Sequence, residues 1–243
     1  MTDSRIKLLS SLIDRFISRC EYDEKEELKA IFASMTGEIK MDLPDLSKVI
    51  HIEQKLLGVD LYRDFCTKET ADRLYYHLLD NVTWNSKLSK TKRANQTYGD
   101  DGLIYEVKFG KVVLKRPAIP WKSTPLMTEI RDKVALVMGQ TPNICIVQLY
   151  PKGVGMPAHR DKEMSGGIIC GLSLGDARIL TMGPPARSDS PSIDIVLNHG
   201  SLYALKPPTN DHWTHWTHCI NAKSESKEHS TRISLTFRNY KMK

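Results

Sequence analysis

A mostly β fold backed by helices, of the sandwich or jelly-roll kind, is what the sequence predicts for the larger part of the chain. Three observations carry the expectation. Six short runs rich in β-branched and apolar residues fall in the second half, at 143–150, 168–174, 178–182, 193–198, 201–205 and 232–239. Clusters of Gly, Pro, Asn or Asp separate them. Helical patterns at 67–79 and 124–138 come earlier, so the elements read as helices laid against a sheet that follows them.

Taken in order, the chain begins with amphipathic periodicity. Leu9, Leu12, Ile13, Phe16, Ile17 and Cys20 recur at three- and four-residue steps, and Leu28, Ile31, Phe32 and Met35 repeat the pattern before Gly37. Residues 41–58, with Pro44 near their start, read as a connector with room for a short helix. The expected organisation is a helical extension over residues 1–57 and a larger domain over 58–243. Within that domain the polar, proline-rich stretch 183–192 predicts an irregular loop.

Composition narrows the classes. Hydrophobic residues at 40% and charged residues at 26% are ordinary values for a folded domain and argue against a disordered chain. The uncharged, apolar-looking run 166–175 is half the ~20 residues of a membrane span, and Asp3, Arg5, Lys7, Asp14 and Arg15 interrupt the only candidate signal segment. Cys20, Cys66, Cys145, Cys170 and Cys219 are odd in number and show no CxxC spacing, as expected of free thiols. An intracellular monomer that binds no membrane is the expectation. Of the net charge of +6, residues 1–57 contribute −2, with nine Lys/Arg against eleven Asp/Glu, and the residues beyond them +8, with 26 against 18. That basic surface suits a phosphate-bearing partner.

His159-Arg160-Asp161 follows the Gly153/Gly155/Pro157 turn after a predicted strand. Alone it is weak, because eight histidines and 29 acidic residues supply roughly one His-x-acid pair by chance. The run from Asn210 to His218 adds His212, His215 and His218. Two imidazoles and one carboxylate on one side of a metal leave three positions open, the arrangement of non-haem Fe(II) oxygenases. On chemistry alone His212, His215 and His218 are rivals for the second imidazole. A second reading takes His212, His215, His218 and Cys219 as a structural zinc site in a non-catalytic nucleic-acid-binding module. A closed four-ligand site usually draws paired ligands from two places, and no CxxC partner exists here.

In the last predicted strand the polar residues alternate with apolar ones, so Arg232, Ser234, Thr236 and Arg238 share a face. Two arginines about 20 Å apart along one strand converge only on something lying between them. A small dicarboxylate fits, since guanidinium forks grip carboxylates bidentately.

Jointly and in order, Thr97-Tyr98-Gly99, Pro120-Trp121, Leu149-Tyr150, His159-Arg160-Asp161, Leu172-Ser173-Leu174-Gly175, His199-Gly200-Ser201-Leu202, the Pro208–His215 stretch and Arg232-x-x-Leu235-Thr236-Phe237-Arg238 carry a resemblance. Residues 60–243 resemble the AlkB-like Fe(II)/2-oxoglutarate-dependent dioxygenases, in particular the animal nucleic-acid repair demethylases. The resemblance implies a double-stranded β-helix core. It implies Fe(II) as cofactor, 2-oxoglutarate and O2 as cosubstrates, and oxidative demethylation of 1-methyladenine and 3-methylcytosine in DNA, releasing succinate, CO2 and formaldehyde. RNA or a protein side chain is the alternative target, and the nucleus the implied compartment in a eukaryote.

Carried over by position, His159, Asp161 and His215 are implied as the iron ligands. Arg232 and Tyr150 are implied on the distal carboxylate of 2-oxoglutarate, Arg238 nearer the metal, and Thr236 on the same face. Gln148 and Ser234 stand where the family usually has Asn, which implies altered cosubstrate affinity. For a flipped base the implied contacts are His159 on one side and Tyr105 or Tyr98 stacking on the other, with Val107 where relatives often carry an aromatic, and Glu163 against the positive charge. Arg93, with Lys87, Lys90, Lys92, Lys108, Lys111, Lys115 and Arg116, is implied on phosphates of single- or double-stranded DNA.

Overall fold

The structure is a computed structural model and describes residues 49–51, 58–84, 93–109, 112–161, 167–183, 192–207, 217–222, 229 and 231–240. The chain divides into two compact units, Met1–Leu43 and Pro44–Lys243. The helices expected within 1–35 lie outside the described residues, as does most of the 183–192 stretch.

The second unit opens with β1 (Val49–His51) and β2 (Val59–Tyr62), an antiparallel pair. β1 lies inside the segment expected to be a connector or helix, so the sheet begins before residue 58. Helix α1 (Lys68–Asn81) starts where the Thr67 hydroxyl accepts the Thr70 N–H at 3.3 Å, and its first turn is tied by the Lys68–Asp72 ion pair at 2.7 Å. Then come β3 (Ala94–Gly99), the hairpin β4 (Ile104–Phe109) with β5 (Val112–Pro117), and the short β6 (Ile119–Pro120). Helix α2 (Pro125–Met138) has Pro at its first position and ends at Gly139, whose φ of 65° suits glycine.

The strands that follow are β7 (Ile144–Tyr150), β8 (Met156–His159), β9 (Ile169–Gly175), β10 (Arg178–Gly183), β11 (Ile193–Leu197), β12 (Leu202–Leu205), β13 (Thr217–Ile220) and β14 (Arg232–Arg238). Both expected helices and all six expected strands are present. The described strands form an eight-stranded sheet in the order β1-β2-β12-β9-β14-β7-β3-β6 and a four-stranded sheet in the order β11-β10-β13-β8, with β4-β5 apart. This is the jelly-roll arrangement, with sequence-distant strands made neighbours.

Side-chain alternation divides the large sheet into two faces. One parity of β14 and β7, with Ile233, Leu235, Phe237, Cys145 and Val147, packs under the helices with Leu74, Leu78, Ile130 and Val134. Ile233, Leu235 and Phe237 are fully buried, and each contributes about 1.5–3 kcal/mol through lost apolar exposure. The opposite parity looks toward the small sheet. There Val59, Leu61, Ile169, Tyr203 and Leu205 meet Leu180, Met182, Ile195, Leu197 and Ile220. On this inner face lie Arg232, Ser234, Thr236 and Arg238.

Cys145, Cys170 and Cys219 are free thiols, as expected, and Cys20 lies outside the described residues. Among the described residues no helix is long and apolar enough to cross a membrane.

Candidate active site

The antiparallel β8–β13 pair sets His159 opposite His218. Their ring centroids are 4.2 Å apart. Asp161, two residues beyond His159, turns its carboxylate toward both rings, with Oδ1 3.9 Å from His159 Nε2 and Oδ2 3.9 Å from His218 Nε2. The three ligand atoms lie within 4.8 Å of one another. His215, implied as the third ligand, lies outside the described residues. The described residue that completes the cluster is its rival His218.

The protonation of each ring follows from its partners. His159 Nδ1 is 3.0 Å from the Pro157 carbonyl, which can only accept, so Nδ1 carries a proton and Nε2 is the ring nitrogen turned to Asp161 and to a metal. Burial, with the neighbouring His159 next, pushes the His218 imidazole down to about 4, so it is neutral at pH 7. Two imidazoles and a carboxylate converging from one side are the donor set that Fe(II) takes with positions left open. The residues present fit the metal.

A second cluster fails the same test. Asp72, His199 and His229 also gather within 4.8 Å. Here the Gly175 backbone N–H donates to His199 Nδ1 at 2.7 Å, which puts the ring proton on Nε2, facing Asp72 Oδ1 at 3.1 Å. That ring has no lone pair left for a metal.

Around the first cluster, β14 supplies two guanidinium groups. Arg238 Nη1 is 3.9 Å from Asp161 Oδ1, which sets this arginine beside the His159–Asp161–His218 cluster. Arg232 is fully buried, its Nε donating to Ser173 Oγ at 2.8 Å and its Nη2 to Ser234 Oγ at 3.3 Å. Its guanidinium lies 5.0 Å from the Tyr150 ring centroid, and that of Arg93 5.5 Å. Arg232 Nη1 and Arg238 Nε are buried without a partner among the described residues. Unsatisfied buried guanidinium donors on one face are the mark of a place for a carboxylate-bearing molecule. Thr236 is half-buried between them on the same face. Gln148 does not point to the cradle independently of Tyr150, because its Oε1 accepts the Tyr150 hydroxyl at 2.8 Å.

The two segments carrying His159 and His218 are held by one residue that the motifs did not single out. Arg178 is fully buried and donates from Nε to Asp176 at 2.6 Å. Its Nη1 donates to the carbonyls of Val154, Asn221 and Ala222 at 3.2, 3.2 and 2.7 Å. Val154 precedes β8, and Asn221 and Ala222 follow β13, so this one guanidinium anchors both histidine-bearing strands. The Asp-x-Arg spacing before an alternating strand was the only signal.

The substrate-side residues fare differently. Tyr98 pairs with Cys145 in register, which puts its side chain on the helix-facing side, 2% exposed and stacked on Trp121 at 6.4 Å. It is a core residue, and the expectation that it stacks on a base is corrected: one step of alternation turns it from the inner face. Tyr105 is 8% exposed and clusters with Leu103, Ala118 and Ile144, the last being the register partner of Arg238. Its place is therefore at the metal end of the sheet. Arg93 reaches the Tyr150 ring rather than standing free on the surface. Val107 lies in β4 opposite Leu114, and Glu163 lies outside the described residues.

Comparison with known proteins accords with this geometry. The family described as the 2OG-Fe(II) oxygenase superfamily matches residues 58–238. The chain belongs to this superfamily. It is 29% identical over 249 residues to the DNA oxidative demethylase ALKBH2 of Mus musculus, covering 93% of this chain and 97% of the relative. To the proteins of the same name from Bos taurus and Homo sapiens it is 33% and 34% identical over 191 residues. Those matches cover 70% of this chain and 65% and 69% of the relatives. The solved structure of OsALKBH1 is similar in fold, with a TM-score of 0.56 at 13% identity, covering 79% of this chain and all of that one. The protein is thus an AlkB-like Fe(II)/2-oxoglutarate-dependent dioxygenase, with Fe(II), 2-oxoglutarate and O2 as its cofactor and cosubstrates.

Proposed function

We propose that this dioxygenase oxidatively demethylates N-alkylated bases in DNA, 1-methyladenine and 3-methylcytosine above all, with His159, Asp161 and His218 holding Fe(II). The observation that carries the reading is the His159–Asp161–His218 cluster set beside Arg238, on the face where buried Arg232 keeps a donor without a partner. Similarity to three proteins named DNA oxidative demethylases supports the choice of substrate.

Fe(II), with 2-oxoglutarate and O2, supplies hydroxylation of an N-methyl carbon coupled to loss of CO2 from the cosubstrate. The protein's own groups set the geometry. The Pro157 carbonyl fixes the His159 ring, Arg178 anchors both histidine strands, and Arg232 takes the distal carboxylate of 2-oxoglutarate. A methylated ring nitrogen is inaccessible within a stacked duplex, so the base enters extruded or unpaired. Tyr105, at the Arg238 end of the sheet, borders that entrance. The hydroxylated methyl group then leaves as formaldehyde.

The test is formaldehyde release, with the matching mass loss in the oligonucleotide, from 1-methyladenine in single-stranded DNA, duplex DNA and RNA side by side. Release dependent on Fe(II), 2-oxoglutarate and O2 and fastest on DNA is expected. Faster turnover of RNA transfers the proposal to RNA, and no turnover of any methylated base by metal-loaded protein overturns it.

A further inference from the structure

Tyr203 lies on β12 in a row that crosses the sheet's inner face. It pairs with Gly171 on β9, Gly171 pairs with Thr236 on β14, and Thr236 pairs with Ile146 on β7. Residues in such a row point the same way. A Cβ built on Gly171 would fall into the Tyr203 ring, against Cζ and the hydroxyl oxygen. Glycine at 171 therefore lets the phenol lie flat across β9, with its hydroxyl above Gly171, one strand spacing of about 4.8 Å from Thr236. The ring is 6% exposed.

Arg232 approaches the same spot from the other side. Its Nε donates to Ser173, two residues from Gly171 on the same face of β9 and so about 7 Å along the strand. Guanidinium and phenol thus converge over β9. Tyr203 and Tyr150 both bear on the Arg232 charge, and Arg232, Asp161 and Arg238 on the Tyr203 hydroxyl, which burial keeps protonated. A protonated phenol beside an unsatisfied guanidinium donor is a second donor for one carboxylate. The tyrosine implied for that task stays beside Arg232, but its single hydroxyl proton is committed, since the Tyr150 hydroxyl donates to Gln148 Oε1 at 2.8 Å.

We infer that Tyr203 is a cosubstrate-binding residue, donating its phenol hydrogen bond to the 2-oxoglutarate carboxylate that Arg232 grips, while Tyr150 spends its own hydroxyl proton on Gln148. The inference rests on the reading of this face as the 2-oxoglutarate cradle.

Calorimetric titration of the full chain, loaded anaerobically with Mn(II), tests it with 2-oxoglutarate and with 2-oxopentanoate, which lacks the distal carboxylate. Tyr203→Phe keeps the ring over Gly171 and removes only the hydroxyl. It is expected to weaken 2-oxoglutarate about tenfold, as loss of a hydrogen bond to a charged group does. Its affinity for 2-oxopentanoate and for Mn(II) is expected to stay within twofold, and in turnover KM for 2-oxoglutarate rises far more than kcat falls. Gln148→Asn, which leaves Tyr203 in place and withdraws the Tyr150 acceptor, is expected to tighten 2-oxoglutarate binding and to restore much of the loss in the double variant. Unchanged 2-oxoglutarate affinity in Tyr203→Phe, beside a wild-type protein that binds it, overturns this inference and leaves the cradle standing. A wild-type protein that takes Mn(II) yet does not bind 2-oxoglutarate overturns the cradle itself.

Discussion

His218 stands directly across the β8–β13 ladder from His159, and the same strand pair brings Asp161 to within 3.9 Å of both rings. The proposed metal centre is thus a product of strand register. A slip of one residue would turn His218 to the opposite face and put Thr217 or Cys219 in its place.

Substitution of the two rival histidines separates them. His218→Ala is expected to weaken Mn(II) or Fe(II) binding by more than about 100-fold, since loss of a mere supporting partner of a ligand already costs 10–100-fold. His215→Ala is expected to keep metal affinity within a few fold. Calorimetry or the electron paramagnetic resonance signal of Mn(II) reads both, and the reverse order of effects would return the third position to His215.

Arg232 is a fork held by Ser173 and Ser234, so its shape matters as much as its charge. Arg232→Lys is expected to raise KM for 2-oxoglutarate at least about tenfold, because a lysine ammonium cannot present two parallel donors. Steady-state kinetics with varied cosubstrate measure it. A KM within twofold of wild type would place the distal carboxylate elsewhere.

Arg178 and Asp176 form an ion pair with no exposed side-chain surface. Arg178→Met breaks this buried ion pair and withdraws the donor from three carbonyls, and is expected to cost about 3–5 kcal/mol of stability in chemical denaturation. Arg178→Lys, folded but unable to span Val154 and Asn221, is expected to lose metal affinity more than stability. Native-like Mn(II) binding in a folded Arg178→Lys protein would reduce this residue to a packing role.

Stability is expected to fall with pH through His199. Burial, aided by His229 and Lys68, lowers its pKa below the ordinary 6.5 against the opposing pull of Asp72, with Tyr75 packed edge-on to the ring. The unfolded chain then gains a proton near pH 6.5 that the folded chain accepts only at lower pH. Stability present at neutral pH therefore declines as pH drops through about 6.5 and levels off below the folded value. Asp72, lowered beneath 3.8 chiefly by its bond to Lys68, stays charged throughout that window. Thermal melts of wild type and His199→Asn, whose amide oxygen can still accept the Gly175 N–H, are expected to converge toward pH 5. Parallel pH profiles in the two proteins would assign the decline to other groups.

Local pattern sufficed for much of this molecule. Alternation in 232–238 revealed the face carrying Arg232 and Arg238, and apolar runs located β7, β9, β10, β11, β12 and both helices, because a residue's period along its own element is written in its near neighbours. The short strands β8 and β13 were not visible, although they carry His159 and His218, since four residues of mixed polarity show no period. Tyr98 was misread for a related reason: only its pairing with Cys145 shows which side of the sheet it faces. The family and its cosubstrates were legible in motif order, whereas the choice of His218, the anchoring by Arg178 and the reach of Tyr203 over Gly171 arose from register between strands far apart in the chain. Such register minimises free energy over the whole sheet at once, through burial and backbone pairing that no single segment contains.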